Sequence, residues 1–322
     1  MIEELLRELR EDSYVSGEKL CEKLGVSRVA IWKTVAKLKR LGYVIEAKPK
    51  QGYKLVKRPN IPYSWEVKRC LGEVEVVGKE VKYFESVSST QEVVKNEALG
   101  GAKEGLVVIA SEQHRGKGRL GRPWFSPRGG LWMSVLLRPD VPPIKAPLLT
   151  LMAAACIADV LEESYNVKAS IKWPNDVMVN GKKIAGVLAE ADIEMDRVNY
   201  VALGIGVNAN ISISLMPDDL KPLATSLANI LGKEVNLAEL ACKLIKALDK
   251  QYGEYKLKRF PLLLERWKSK LLGLGQRALV KTAYEEVEGL ALDVDEDGAL
   301  IMKKTDGSTI KVYSGDLVLL RL

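Results

Sequence analysis

Apolar positions in the first sixty residues recur at three- and four-residue steps and then give way to alternation. Ile2, Leu5, Leu6 and Leu9 share one helical face. Ser16 heads a second helical stretch that Gly25 closes, and Ser27 heads a third, Arg28 to Leu41, stopped by Gly42. In the third, Ile31, Val35 and Leu38 form the inward stripe with Trp32 beside them, while Arg28, Lys33, Lys37 and Arg40 fall outside. Tyr43 to Ile45 and Tyr53 to Val56 read as strands about a basic turn containing Lys48, Lys50 and Gly52. Helix, glycine turn, basic helix and basic wing, in that order, predict a winged helix-turn-helix over residues 1–60. Pro59 and Pro62 mark a linker behind it.

From Lys79 onward, β-rich runs alternate with helical ones. Val81 to Phe84, Leu106 to Ala110 and Leu131 to Leu137 predict strands, the first followed by a helix that Ser86 to Gln91 cap and that runs to about Ala98. Residues 146–163 predict a buried helix, since the apolar run Ala146 to Leu161, broken by Pro147 and Asp159, is too short to span a bilayer. Ile171 to Val179 reads as a strand interrupted by Pro174. The Asn180-Gly181 pair then signals a hairpin into the segment ending at Glu190. Tyr200 to Asn210 predicts a strand ending in an exposed turn, and Leu237 to Phe260 a long helix. The pattern alternates again beyond Gly273: Arg277 to Lys281, Val287 to Val294, Ala299 to Lys303 and Thr309 to Tyr313 predict a small antiparallel barrel. The fold class is α+β, divided as 1–60, 61–272 and 273–322.

Charge sharpens the first of these units. Residues 1–60 hold 14 Lys and Arg against 8 Asp and Glu, six of the seven net positive charges of the chain. Residues 27–58 alone hold ten basic against one acidic, the electrostatic footprint of a nucleic-acid contact. Ser27, Arg28, Lys33, Lys37, Lys48 and Lys50 are the candidate DNA contacts. Cys21, Cys70, Cys156 and Cys242 have no ligand-like spacing and read as free thiols of a reducing, cytoplasmic setting. The single histidine, His114, excludes a multi-histidine metal site. The first residues carry no signal-peptide pattern, so neither a leader nor a membrane partner is expected.

The chemistry concentrates between Gln113 and Trp124, where Gly116, Gly118 and Gly121 interleave with Arg115, Lys117, Arg119 and Arg122. A loop of this kind suits phosphate or carboxylate oxygens. Its glycines match the G-x-G-x-x-G spacing, but Pro123, Pro127 and Gly129-Gly130 oppose the helix that a dinucleotide site requires. The Walker spacing is absent. An ordinary basic surface turn has the same composition, so companion motifs must decide.

Four companions exist. Ser88-Ser89-Thr90, Lys172-Trp173-Pro174-Asn175-Asp176, Gly181 to Gly186 and Gly204-Ile205-Gly206-Val207-Asn208, together with Gln113 and Gly116 to Arg119, resemble the motifs of biotin protein ligases, in order and at compatible spacing. With a basic helix-turn-helix in front, the chain is similar to the bifunctional type that is both ligase and biotin operon repressor. The resemblance implies a class II synthetase-like central domain and an SH3-like C-terminal one, which Ser314-Gly315-Asp316 also fits. It implies that biotin and MgATP give biotinyl-5′-AMP and pyrophosphate, after which a lysine of a biotin carrier domain attacks the anhydride. Because a carboxylate must approach an anionic phosphate, cations have to offset the repulsion. The resemblance places Lys117, Arg119 and Lys183 there, with arginine common in relatives at position 117.

By the same resemblance Ser89, Thr90 and Gln113 face the ureido ring, Gln91, Gly118 and Gly186 complete the biotin site, and Trp124 walls it. Arg122, Lys172, Asn175 and Asn208 join Arg119, Trp124 and Lys183 toward ATP, and Asp176 orients or deprotonates the acceptor lysine. Residues 211–224 hold no aromatic side chain, so the tryptophan that covers adenine in some relatives has no counterpart there. Mg²⁺ is expected to arrive with ATP, without a protein-built metal site. Operator DNA and a second copy of the chain are the remaining expected partners. Two other readings stay open: a lipoate or octanoate ligase, and a DNA-binding sensor without catalysis.

Overall fold

Ile2–Glu8 (α1), Gly17–Leu24 (α2) and Arg28–Arg40 (α3) precede a hairpin of Val44–Lys48 (β1) and Gly52–Lys57 (β2) in the computed structural model, which describes residues 1–282 and 284–320. Local chemistry sets these bounds. The Ser16 and Ser27 hydroxyls accept from the Lys19 and Ala30 N–H groups at 3.2 Å, and Gly25 turns the chain at φ 64°. Leu5, Leu20, Ile31, Leu38 and Leu55 form the buried centre. Gly52 is required by close approach, since a Cβ there would lie 2.0 Å from the Val15 carbonyl oxygen. Trp32 departs from the expectation: it is 62% exposed, and Thr34 takes the inward place beside Ile31, Val35 and Leu38. The helical step explains this, because residue 34 lies about 60° from 31 and about 40° from 38, while 32 rotates about 100° the other way. The Thr34 hydroxyl donates to the Ala30 carbonyl at 2.8 Å, so its burial leaves no orphan.

The chain divides into two compact units, Met1–Ile61 and Pro62–Leu322. The second begins with Ser64–Leu71 (α4), Glu80–Val87 (β3), Thr90–Leu99 (α5), Leu106–Gln113 (β4), Leu131–Leu137 (β5) and Leu148–Tyr165 (α6). It continues through Ser170–Lys172 (β6), Asp176–Val179 (β7), Lys182–Glu194 (β8), Arg197–Val207 (β9), Leu227–Leu231 (α7), Leu237–Lys256 (α8) and Phe260–Lys268 (α9). The strands form one mixed sheet, β3-β4-β5-β9-β8-β7-β6, in which only β3 and β4 run parallel. Val108, Leu136 and Ala202 pack toward Val94 and Ala98 of α5, while Val107, Ile109, Met133 and Leu203 join the core of α6 and α8. With both faces covered, β5 is buried along its whole length, its apolar run broken only by Ser134.

Several expectations change here. Residues 171–179 are not one interrupted strand but a reversal, in which β6 pairs antiparallel with β7 across a cis Trp173–Pro174 bond. The helix over 146–163 extends to Tyr165, and with its preceding turn it is long and apolar enough to cross a membrane; it is instead the buried core helix. The long helix predicted to Phe260 stops at Lys256, and Lys258 turns at φ 60° before α9. The end of β9 is not exposed, since Asn208 and Ala209 are buried.

Arg277–Lys281 (β10), Glu286–Val294 (β11), Leu300–Lys303 (β12), Thr309–Val312 (β13) and Asp316–Leu319 (β14) form an antiparallel sheet ordered β13-β12-β11-β10-β14. Its Val280, Ala291 and Met302 belong to the same core as α6, and the Trp173 indole donates to the Gly298 carbonyl at 3.1 Å. Residues 321 and 322, inside the expected C-terminal domain, lie outside the described residues.

Candidate functional site

Where β8 and β9 cross beneath the 113–124 loop, three glycines replace side chains: Gly186 pairs with Gly206, and Leu188 with Gly204. The missing side chains open a cavity of about 260 Å³. Trp124 lies on this floor, and a Cβ on Gly206 would sit 2.6 Å from its Nε1. The indole N–H is buried without a hydrogen-bond partner, and Trp132 meets the ring edge-on at 6.5 Å. A Cβ on Gly204 would sit 2.8 Å from Cδ of Gln91, whose amide donates to the Leu188 and Ala202 carbonyls at 3.1 Å. Gln91 therefore braces β8 against β9 as well as lining the cavity.

Part of the cavity lining is polar. Gln113 Oε1 accepts from the Thr90 N–H at 2.8 Å and the Thr90 hydroxyl at 3.0 Å, and its Nε2 donates to Ser126 Oγ at 2.9 Å. Thr90 Oγ1 also meets Ser134 Oγ at 2.8 Å. Ser89 occupies the N-cap position of α5, yet its hydroxyl makes no capping bond, contrary to the sequence expectation. Gln113 from β4 satisfies the first helical amide instead, leaving Ser89 buried at the cavity wall.

Four cations, Lys117, Arg119, Arg122 and Lys183, join the lining. The loop is not helical: Trp124 N–H donates to the Gly116 carbonyl at 2.9 Å, Lys117 bridges Pro123, and a single 3₁₀ turn covers Arg119–Gly121. Lys117 Nζ donates to Glu92 Oε1 at 2.6 Å. The Lys117 ammonium and the Ser88 hydroxyl hold the Glu92 carboxyl below the usual range, and Glu92 in turn raises Lys117. Arg119 is largely buried, which pushes its pKa down; it donates to the Gly315 carbonyl at 3.0 Å and Asn175 Oδ1 at 3.3 Å and lies 3.8 Å from Asp316 Oδ1. Arg122 pairs with Asp316 Oδ2 at 2.5 Å. Lys183 Nζ sits 4.8 Å from the Trp124 ring centre and 2.6 Å from Asp176 Oδ1, close in distance but not aligned as a hydrogen bond.

Of the sequence candidates, Ser89, Thr90, Gln91, Gln113, Lys117, Gly118, Arg119, Arg122, Trp124, Asn175, Asp176, Lys183, Gly186 and Asn208 line this one cavity. Lys172 does not, although it pairs with Asp176 in register. Asn175 and Asn208 also carry structural bonds, donating to the Val187 and Thr225 carbonyls at 2.9 and 3.0 Å. The sequence reading missed Ser126, Ser134, Gly204 and Gly206, and missed Met216, Leu220 and Ala224, which supply an apolar wall. It also missed the role of Asp316 against the loop. The glycines of β9 were visible as Gly-Ile-Gly and Asp316 as part of Ser314-Gly315-Asp316, though nothing local tied Asp316 to the loop; the serines gave no local signal. His114 lies outside the cavity, its Nε2 2.6 Å from Ser86 Oγ. Among the described residues no group of three or more His, Cys, Asp or Glu is arranged to hold a metal.

In the first unit, Ser27 is spent on capping α3, while Arg28, Lys33 and Lys37 are exposed on it. Lys50 stands exposed on the wing and Lys48 lies 4.8 Å over the Tyr14 ring.

A model of the Biotin/lipoate A/B protein ligase family matches residues 83–208, an HTH domain matches 2–54, and the Biotin protein ligase C terminal domain matches 273–320. The Bifunctional ligase/repressor BirA of Bacillus subtilis is 38% identical over 309 residues, covering 96% of this chain and 94% of its own length. Its namesake in Escherichia coli is 28% identical, covering 98% and 96%. Among solved structures, a biotin protein ligase from Aquifex aeolicus in complex with biotin and ATP is similar at a TM-score of 0.65 and 30% identity, over 76% of this chain and 100% of that one.

Proposed function

We infer that this chain, which belongs to the biotin protein ligase family, joins biotin to protein in two steps. It activates biotin with ATP to biotinyl-5′-AMP, releasing pyrophosphate, and then transfers the biotinyl group to a lysine of a biotin carrier protein. The observation that carries the reading is one cavity whose lining combines hydrogen-bonding side chains, an indole and four cations. A small ureido ring requires fixed donors and acceptors in a mostly apolar pocket, and Ser89, Thr90 and Gln113 supply hydrogen-bonding groups to the lining. Lys117, Arg119 and Lys183 line the same cavity; as the cations at the junction of carboxylate and α-phosphate they lower the cost of bringing two anions together.

Asn175, Asn208, Arg122 and Trp124 surround the nucleotide side, with Met216, Leu220 and Ala224 as its apolar cover. Mg²⁺ carried on the ATP phosphates would neutralise part of their charge, with Lys117, Arg119 and Lys183 offsetting the rest. In the second step the acceptor amine, ordinarily protonated near neutral pH with a pKa of about 10.4, needs a proton acceptor, and Asp176 is placed at the cavity to serve. Incubation with biotin, MgATP and a carrier domain, followed by blotting for protein-bound biotin, tests the assignment. Absence of labelling across carriers would reject it.

Residues 1–60 act as a winged domain on operator DNA, beside a ligase domain at 61–272 and a C-terminal domain at 273–322. The homologous bifunctional ligase/repressors and the HTH match support the repressor role. Adenylate-loaded protein binds as a dimer. Binding to the promoter of its own biotin genes should strengthen with biotinyl-AMP at moderate salt, and an unchanged affinity would remove the repressor role.

A further inference from the structure

The exposed side of α3 is not uniformly basic. At about 100° per residue, Val29, Trp32 and Ala36 fall within about 60° of one another. Val29 is 60% exposed and Trp32 62%, and among the described tryptophans Trp32 alone is exposed. Exposed cations border this strip on both sides: Arg28 and Lys39 along one edge, Lys33, Lys37 and Arg40 along the other. Ile31, Thr34, Val35 and Leu38 occupy the opposite, buried face. The outward face is thus an apolar midline between two basic edges.

That arrangement has a counterpart in the major groove, where two phosphate rows flank the base edges. Cations at the edges of a recognition helix reach phosphate, and its midline meets base edges. The apolar group presented there is the thymine C5-methyl. We propose that Trp32, with Val29, reads thymine methyl groups in the operator, so that this chain specifies its site through apolar contact at the helix midline and holds it through the flanking cations. The inference rests on the operator reading above and adds the chemical identity of what is read. Charge complementarity of the two edges selects a polyanion as occupant.

The test uses the full chain with biotin and MgATP. Duplexes are selected from a random-sequence pool by the wild-type protein, and the enriched duplex is remade with deoxyuridine for thymine, which removes only the methyl groups. Wild type should lose at least threefold in affinity on the deoxyuridine duplex. W32A should lose most of that factor on the thymine duplex, show only the small further loss with deoxyuridine that Val29 accounts for, and keep the wild-type salt dependence and rate of biotin transfer. V29A should do so more weakly. The double variant K33A/K37A should instead weaken selected and random duplexes alike and flatten the salt dependence by about two contacts' worth. Wild type insensitive to deoxyuridine, or W32A fully sensitive to it, overturns the inference while leaving operator binding intact. Failure to enrich any sequence overturns the operator reading and the inference together. Iodide quenching of wild type against W32F gives a separate readout: Trp32 should be shielded only when the selected duplex is added, and shielding in adenylate-loaded protein alone would assign the strip to a protein contact.

Discussion

Asp316 should matter to adenylation although it lies almost two hundred residues from the loop it holds. Its carboxylate lies 3.8 Å from the Arg119 guanidinium and 2.5 Å from that of Arg122. Two unit charges 3.8 Å apart attract by about 4 kcal/mol at an effective dielectric near 20. Asp316 is 32% exposed and shares its charge with Arg122, which is 61% exposed, so most of that attraction is screened. A coupling of roughly 1–2 kcal/mol remains, equivalent to about 5–30-fold. D316N keeps the shape and removes the charge. The assay is pyrophosphate release with biotin and MgATP, with thermal unfolding as the control for folding. The kcat/KM for adenylation should fall about 5–30-fold. In an R119K background, where the guanidinium that Asp316 holds is already gone, D316N should add little. A value within twofold of wild type, a rise in activity, or the same loss with and without Arg119 would refute the claim that Asp316 acts by holding Arg119.

G206A should push the Trp124 indole off the glycine floor, costing about 1–3 kcal/mol of stability by overpacking together with a loss of adenylation; calorimetry and pyrophosphate release check both. Q113L should strand the Thr90 N–H at the start of α5 and cost about 1–3 kcal/mol, read by chemical denaturation. D176N should slow transfer to the carrier more than adenylate formation, and equal losses in both half-reactions would sink the proton-acceptor role. Burial pushes the Glu104 carboxyl up, but bonds from Lys256, Tyr252 and the Arg138 N–H outweigh it and hold it below the usual range. A depressed folded pKa gives stability present above the unfolded value of about 4.3 and lost as pH falls below it, so the Tm gap between wild type and E104Q should narrow from pH 6 to pH 3.

Features decided by neighbours in sequence were legible. The Ser16 and Ser27 caps, the αL turn at Gly25 and the Asn180-Gly181 hairpin each rest on contacts within a few residues. The site was legible as a set of motifs because their order and spacing are properties of the chain alone. What escaped depends on partners far away. The Ser89 cap failed because Gln113, 23 residues from Thr90, supplies the acceptor. The reversal at Trp173–Pro174 looked like a mere interruption, since a proline in a strand pattern does not say whether the chain resumes its direction or pairs with itself. Trp32 looked inward because a tryptophan is assumed to seek the core, whereas its angular position sends it out.

The cations of the cavity share one property that bears on the order of the two steps. Each is already matched to a carboxylate: Lys117 to Glu92, Lys183 to Asp176, and Arg119 with Arg122 to Asp316. A cluster of bare cations would repel itself and bind anions indiscriminately, whereas paired ones cost less to hold together. An adenylate spanning the cavity competes for those cations, and the carboxylates it displaces do not have equivalent fates. Glu92 remains bonded to the Ser88 hydroxyl, and Asp316 remains bound to Arg122 on the solvent side. Asp176 lines the cavity with Lys183 as its ion-pair partner; in the proposed mechanism an anhydride that engages Lys183 leaves that carboxylate without its cation. On this reading the proton acceptor for the lysine amine is uncovered by the product of the first step. D176N should therefore spare adenylate binding, and K183Q, which loses the cation but frees Asp176 from the outset, should impair adenylate formation while leaving transfer from supplied biotinyl-AMP comparatively intact. Single-turnover transfer from synthetic biotinyl-AMP separates the two, and a K183Q protein equally crippled in both steps would break the proposed exchange.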